Sequence, residues 1–166
     1  MSELSAVDIK KIKEEIEHKE KVERPKCLED LVTARGFGDL SENYEYKAAK
    51  QALRRVDSRL RYLKRLLNTA RVVEGNAAEG VVGLFDEVDI YYVEDDEKET
   101  IRLMTSIREN SLNGIISKES PLGRAVMGRR VGERVLVRVN DRISYHVEIR
   151  AVRKGSDDES LPIHSF

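Results

Sequence analysis

The sequence predicts an α+β protein: an N-terminal antiparallel two-helix coiled coil followed by a small antiparallel β-sheet domain with one short helix. Three observations predict it. Apolar residues recur at helical spacing from Ile9 to Leu67. Downstream of residue 76 they alternate with polar residues in short runs, the period of half-buried strands. Between the two helical stretches, Gly36 and Gly38 bracket Phe37 and stop the first helix. A short turn between long helices makes them antiparallel neighbours.

The first helix opens at Ser5-Ala6-Val7-Asp8, with Ser5 as N-cap and Asp8 near the positive end of the dipole. Ile9, Ile12 and Ile16 follow at helical spacing. Pro25 removes a backbone donor well inside this stretch and should kink or divide the helix. Leu28, Leu31 and Val32 resume the apolar stripe. The second helix has a cleaner seam: Ala49, Ala52, Val56, Leu60, Leu63 and Leu67 are spaced as residues that pack against one partner helix. About 30 residues at 1.5 Å each give an arm of about 45 Å.

The pattern changes near Glu74-Gly75-Asn76, where the domain boundary is placed. Residues 1–75 form the hairpin with an acidic tip near 36–46, residues 76–154 the sheet domain, and residues 155–166 a flexible tail, with docking of Leu161-Pro162-Ile163 left open. Alternation marks strands at Val88-Ile90-Tyr92, Ile101-Leu103, Val135-Val137-Val139 and Ile143-Tyr145-Val147-Ile149, with a hairpin turn at Asn140-Asp141. Ser120 as N-cap and Pro121 at the first helical position open the short helix, which Gly128 closes.

Charge is unevenly distributed. From Lys47 to Arg71 there are nine basic residues and one acidic residue. From Glu74 to Thr100 there are ten acidic residues and one basic residue. Either the second helix faces something anionic, or its cations pair with acids of the first helix. The single cysteine, Cys27, permits no internal disulfide. No apolar run of about 18 residues is present to span a membrane. The N-terminus lacks the pattern of a signal peptide, so a cytoplasmic protein is expected. There is no glycine-rich phosphate loop, Ser/His/Asp set or histidine metal cluster. His18, His146 and His164 are scattered and read as surface or packing residues.

The turn carries the densest chemistry: Gly38-Asp39-Leu40-Ser41-Glu42-Asn43-Tyr44-Glu45-Tyr46. Asp39 and Glu42 are three apart, which suits a capping box for the second helix. The same spacing puts two carboxylates close enough to share a metal ion. This stretch resembles the tip signature of the bacterial Gre transcript-cleavage factors. Ile116-Ser117-Lys118-Glu119-Ser120-Pro121-Leu122-Gly123-Arg124-Ala125 resembles the C-terminal domain of the same family. The two matches lie in the family's order and spacing, and the tip is closer to the GreA type than to the GreB type.

The resemblance implies an FKBP-like second domain. It implies a cofactor of bacterial RNA polymerase, not an enzyme: the coiled coil enters the secondary channel and the polymerase then cleaves its own backtracked transcript. Asp39 and Glu42 fall on the family's catalytic acids, which share a magnesium held mainly by the polymerase; the isolated protein binds none stably. Arg35, Asn43, Tyr46 and Lys50 fall on positions that contact RNA or polymerase. Ser120, Pro121 and Leu122 fall on the loop that docks on the polymerase. The implied partners are the polymerase and the nascent RNA 3′ end, with no membrane, and the protein is expected to be a monomer. Glu45 also matches, its role open between the tip chemistry and a solvated helix surface.

The chain departs from the family in three places. Gly36-Phe37 stand where members carry an acidic residue and often a histidine, and Tyr44 replaces a small residue. The family's Val-Gly segment is not evident around Leu103-Met104-Thr105-Ser106. The aromatic changes keep a second reading open: a binder of the same channel that inhibits the polymerase without promoting cleavage. An FKBP-like fold alone does not warrant prolyl isomerase activity, and the chain has no Trp.

Overall fold

The computed structural model describes residues 2–38, 42–75 and 78–165. In chain order the elements are β1 (Ser2–Leu4), α1 (Ala6–His18), a π-helical turn (Lys19–Glu23), α2 (Arg24–Arg35), α3 (Tyr44–Asn68), β2 (Ala70–Val72), β3 (Glu87–Tyr92), β4 (Glu97–Met104), two 3-10 turns (Ser106–Arg108 and Ser111–Asn113), β5 (Ile115–Ser117), α4 (Pro121–Val126), β6 (Arg134–Arg138) and β7 (Ser144–Arg153). The fold is α+β, as the sequence predicts. The chain divides into two compact units, Met1–Ser2 with Ile9–Ala70, and Glu3–Asp8 with Arg71–Phe166.

In the helical unit, α1, the π turn and α2 run on as one helical stretch. The change at Lys19–Glu23 has a local cause. Pro25 has no N–H, and its ring crowds the carbonyl four residues earlier. A widened turn relieves this, and the Arg24 N–H bonds back to the carbonyl of Lys19. The returning helix is antiparallel, because partners rising along one helix fall along the other: Glu15 with Arg59, Arg24 with Asp57, Ala34 with Asn43. The predicted seam of α3 is turned inward, with Ala49, Val56, Leu60 and Leu63 buried. The stripe predicted for α2 is not: Leu28 and Val32 are exposed, and Ala34 is the buried residue of that helix.

The second unit is built on a five-stranded sheet, order β5-β4-β3-β7-β6. Its β4-β3-β7-β6 part is antiparallel, and β5 adds to β4 in parallel register. Most of the alternating residues named from the sequence point to one face; Val139 and Ile143, between β6 and β7, are exposed instead. Val88, Ile90, Ile101, Leu103, Val135, Val137, Val147 and Ile149 form the core with Leu122 and Val126 of α4. On the opposite face Arg153 bonds to Asp89 and Glu87. Hydrogen bonding from Arg153, and then from Thr100, holds the Asp89 carboxyl down at about 2.

Residues 3–8 fold with the sheet rather than with the arm. Ser5 and Asp8 form a capping box, each backbone N–H bonding to the other's side chain at 2.9 and 3.1 Å. Asp8 also accepts from Thr105 Oγ1 at 2.5 Å and pairs with Arg108 Nε at 2.7 Å. Arg108 and Asp8 are both fully buried. Burial pulls the Arg108 guanidinium below its ordinary value, and the Asp8 charge opposes that.

The tail lies along the sheet unit, including Leu161 of the segment whose docking the sequence leaves open. Arg108 pairs with Asp157 and donates to the carbonyl of Asp158. The His164 N–H reaches the Ile107 carbonyl at 2.8 Å, and Leu161 packs against Leu84, Phe85 and Met104. Gly155 passes so close that a Cβ there would lie 2.2 Å from the Phe85 carbonyl oxygen.

Candidate functional site

At the far end of the hairpin, α2 stops at Arg35 and Gly38 takes a φ of 111°, a conformation costly for any residue with a Cβ. The second helix does not begin where the Asp39–Glu42 spacing predicts. It begins at Tyr44, and its N-cap is Asn43. The Asn43 side chain accepts from the Tyr46 N–H at 3.0 Å and donates to the Ala34 carbonyl at 2.6 Å. That second bond ties the start of α3 to the end of α2. Glu42 therefore lies outside the helix, exposed, and not at the third helical position. Asp39 lies outside the described residues.

Behind Asn43 the side chains divide by sign. Arg35 stands over the Tyr46 ring at 5.8 Å, Lys50 over the same ring at 6.0 Å, and Lys47 over the Tyr44 ring at 5.8 Å. The structure thus gathers Arg35, Asn43, Tyr46 and Lys50, the residues named from the sequence, and adds Lys47 and Tyr44. Tyr44 is 81% exposed. On the other side, Phe37 and Glu45 border a shallow groove of about 410 Å³ that also touches Asp30, Ala34, Ala49 and Ala52.

The basic surplus of α3 is resolved into two sets. Arg59 pairs with Glu15, Lys64 with Glu20, and Arg24 of α2 takes Asp57. Lys47, Lys50, Arg54, Arg61 and Arg65 are exposed on the face opposite the buried seam. Among the described residues no carboxylate forms an ion pair with any of these five. From Lys47 to Arg65 this face runs about 27 Å. It has the charge and spacing to lie along a polyanion. The sequence singles out Lys50, with Arg54 and Arg55 as unassigned extensions of the patch. The signal for the others was the 3- and 4-residue spacing of the cations, offset by half a turn from the apolar seam.

In the sheet unit, Ser120 caps α4 as predicted: its Oγ accepts from the Gly123 N–H at 3.0 Å and donates to the Ser117 carbonyl at 2.7 Å. Pro121 is exposed, but Leu122 is 8% exposed and belongs to the core. Its side chain positions α4 from within. Gly123 is required by space, since a Cβ would lie 2.0 Å from the Ser117 carbonyl oxygen.

Residues 3–72 match the family model described as transcription elongation factor, N-terminal, and residues 77–154 match transcription elongation factor, GreA/GreB, C-term. The chain belongs to the GreA/GreB family of transcription elongation factors. Transcription elongation factor GreA of Leuconostoc mesenteroides is 38% identical over 133 residues, 80% of this chain and 83% of that protein. GreA of Mesoplasma florum is 31% identical over 150 residues, 90% of this chain and 96% of that protein. A crystal structure of GreA factor homolog 1 from Thermus thermophilus aligns at 21% identity and a TM-score of 0.42, covering 92% of this chain and 99% of that one. Both parts of the GreA/GreB pattern are thus present in order. No helix among the described residues is long and apolar enough to cross a membrane.

Proposed function

We propose that this GreA/GreB-family chain acts on bacterial RNA polymerase. Its α2–α3 end enters the secondary channel and promotes magnesium-dependent cleavage of a backtracked transcript. The observation that carries this reading is Glu42, an exposed carboxylate just outside a helix whose cap is already filled by Asn43. The capping role that would have explained Glu42 is taken, and a cationic, aromatic face begins within a turn of it.

Carboxylate oxygens are the donors magnesium prefers, and one or two from a protein suffice when the rest come from elsewhere. In this reading Glu42 and Asp39 supply two such donors to an ion held mainly by the polymerase, and the chain acts as a cofactor and not as the nuclease. Such an ion activates water and stabilises the leaving oxygen. The chain's own residues do the positioning. Asn43 fixes the tip to α2, Lys47 and Lys50 neutralise phosphates of the extruded strand, and Glu42 faces its end. Ser120 and Pro121 present the docking loop of the sheet unit, shaped from behind by Leu122 and Gly123.

The test is cleavage of RNA in a halted, backtracked complex of the cognate polymerase, with and without the protein. Faster release of short 3′ fragments, lost in Glu42→Gln and in Asp39→Asn while binding persists, is the expected result. Full activity in both variants would overturn the role of the acids. The exposed rings of Phe37 and Tyr44 favour a second reading, a channel binder that only obstructs. It predicts slowed nucleotide addition with no fragment release.

A further inference from the structure

We propose that Tyr44 is a stacking platform for an unpaired base of the RNA, so that the factor's action depends on the base at the transcript's 3′ end. The inference rests on the RNA-facing reading of the arm and adds to it a residue that reads the base and not the phosphate.

Tyr44 occupies the first position of α3, directly after the cap, and 81% of it is exposed. No other aromatic side chain among the described residues is as open; Phe37 follows at 65%. A ring held in water at the start of a rigid helix packs nothing in the fold. Its first turn is anchored by the Asn43 cap, so the backbone that carries the ring is ordered before contact. Lys47 lies 5.8 Å from its centroid, one helical turn on, and the row Lys47, Lys50, Arg54 leads away from it. An aromatic face beside a track of cations is the pattern that binds single strands: the cations follow the backbone and the ring takes a base.

Phe37 does not fit the same role. Its ring borders the groove with Asp30 and Glu45, whose carboxylates would repel a phosphate. Tyr46 is half-buried, with both Arg35 and Lys50 over its ring. Of the three rings at this end, Tyr44 has the most open face, and Lys47 stands over it.

The experiment uses the full chain and its cognate polymerase in backtracked complexes ending in A, G, C or U. Cleavage is followed against protein concentration in magnesium. In parallel, 2-aminopurine at the RNA 3′ end reports stacking by its fluorescence, without added magnesium so that the RNA stays whole. Tyr44→Ala and Tyr44→Leu should raise the half-saturating concentration roughly 5- to 50-fold, more for purine than pyrimidine ends, and should lose the quench. Tyr44→Phe should keep both, and Phe37→Ala should leave the order of the four bases unchanged. An equal loss for all four bases with the quench intact would place the ring against polymerase and overturn the proposal, as would no loss at all. A wild-type protein that quenches without cleaving would sink the cleavage reading and leave the stacking proposal supported. One that cleaves without base preference or quench would do the reverse.

Discussion

The two halves of the helical arm are built differently, although both are made from the same pair of antiparallel helices. Toward its base the arm buries Ile12, Leu60 and Leu63 and closes across the helices with Glu15–Arg59, Glu20–Lys64 and Arg24–Asp57. Toward its tip the buried residues are Ala34, Asn43 and Ala49, and Leu28, Val32, Phe37 and Tyr44 stand in solvent. Among the described residues there, the ion pair is Lys26–Asp30, within α2 itself. Alanine buries little area, so the tip half gains little from hydrophobic burial. The base is zipped by apolar contact and paired charge. The tip leaves its charges and rings in solvent.

The comparison is broken most directly at the base. Leu63 is fully buried, and Leu63→Ala should cost about 2–5 kcal/mol, with a cavity left behind. Ala49→Gly, its counterpart near the tip, should cost about 1 kcal/mol through helix propensity. Thermal unfolding followed by helical circular dichroism separates them. Equal losses would mean that the tip is as well packed as the base. Next comes Arg59→Ala. Arg59 is 8% exposed on its side chain and grips both oxygens of Glu15, at 2.7 and 3.2 Å. Glu15 keeps some access to water, so the loss should be about 2 kcal/mol, below the roughly 3–5 of a fully buried pair. Removing Glu15 as well should recover part of it in a double-mutant cycle.

What the sequence discloses follows the same division. The seam of α3 was legible because Val56, Leu60 and Leu63 repeat at a spacing that only one helix face can collect. Gly123 and Ser120 were legible as a motif, and the close approach to the Ser117 carbonyl gives the glycine its reason. The cap was not. Asp39 and Glu42 have the spacing of a capping box, and nothing local ranks them below Asn43, whose advantage is a bond to Ala34 on the other helix. Leu28 and Val32 fit a stripe by period, but period does not show whether a partner helix stands opposite. The docked tail depends on Arg108, whose two anchors, Asp8 and Asp157, are 100 and 49 positions away in sequence. No window of sequence contains that cluster.

At the tip the effects should be smaller and local. Asn43→Ala removes one bond to Tyr46 and one to Ala34, and should cost about 1 kcal/mol. Hydrogen exchange should show faster opening in the first turn of α3 and at the end of α2, with the amides near Leu63 unchanged. Faster exchange along the whole arm would make the tip and base one cooperative unit and erase the distinction.

The smallest change in stability should come from the outward face of α3, and that face gives the sharpest contrast between folding and binding. Arg54→Gln and Arg61→Gln each remove a cation that has no ion-pair partner among the described residues, on the side away from the seam. Neither should move the unfolding midpoint beyond the effect of about 0.5 kcal/mol expected of an ordinary surface change. If the face tracks a single strand, each should weaken binding to single-stranded RNA. Each should also lower the slope of log affinity against log salt by about 0.7, the share of one phosphate contact. Arg59→Gln supplies the opposite case, losing stability with no change of slope, because its charge is already engaged by Glu15. Salt slopes unaltered in both Arg54→Gln and Arg61→Gln would restrict the strand to Lys47 and Lys50 at the tip, and the contact would span about one helical turn instead of four or five.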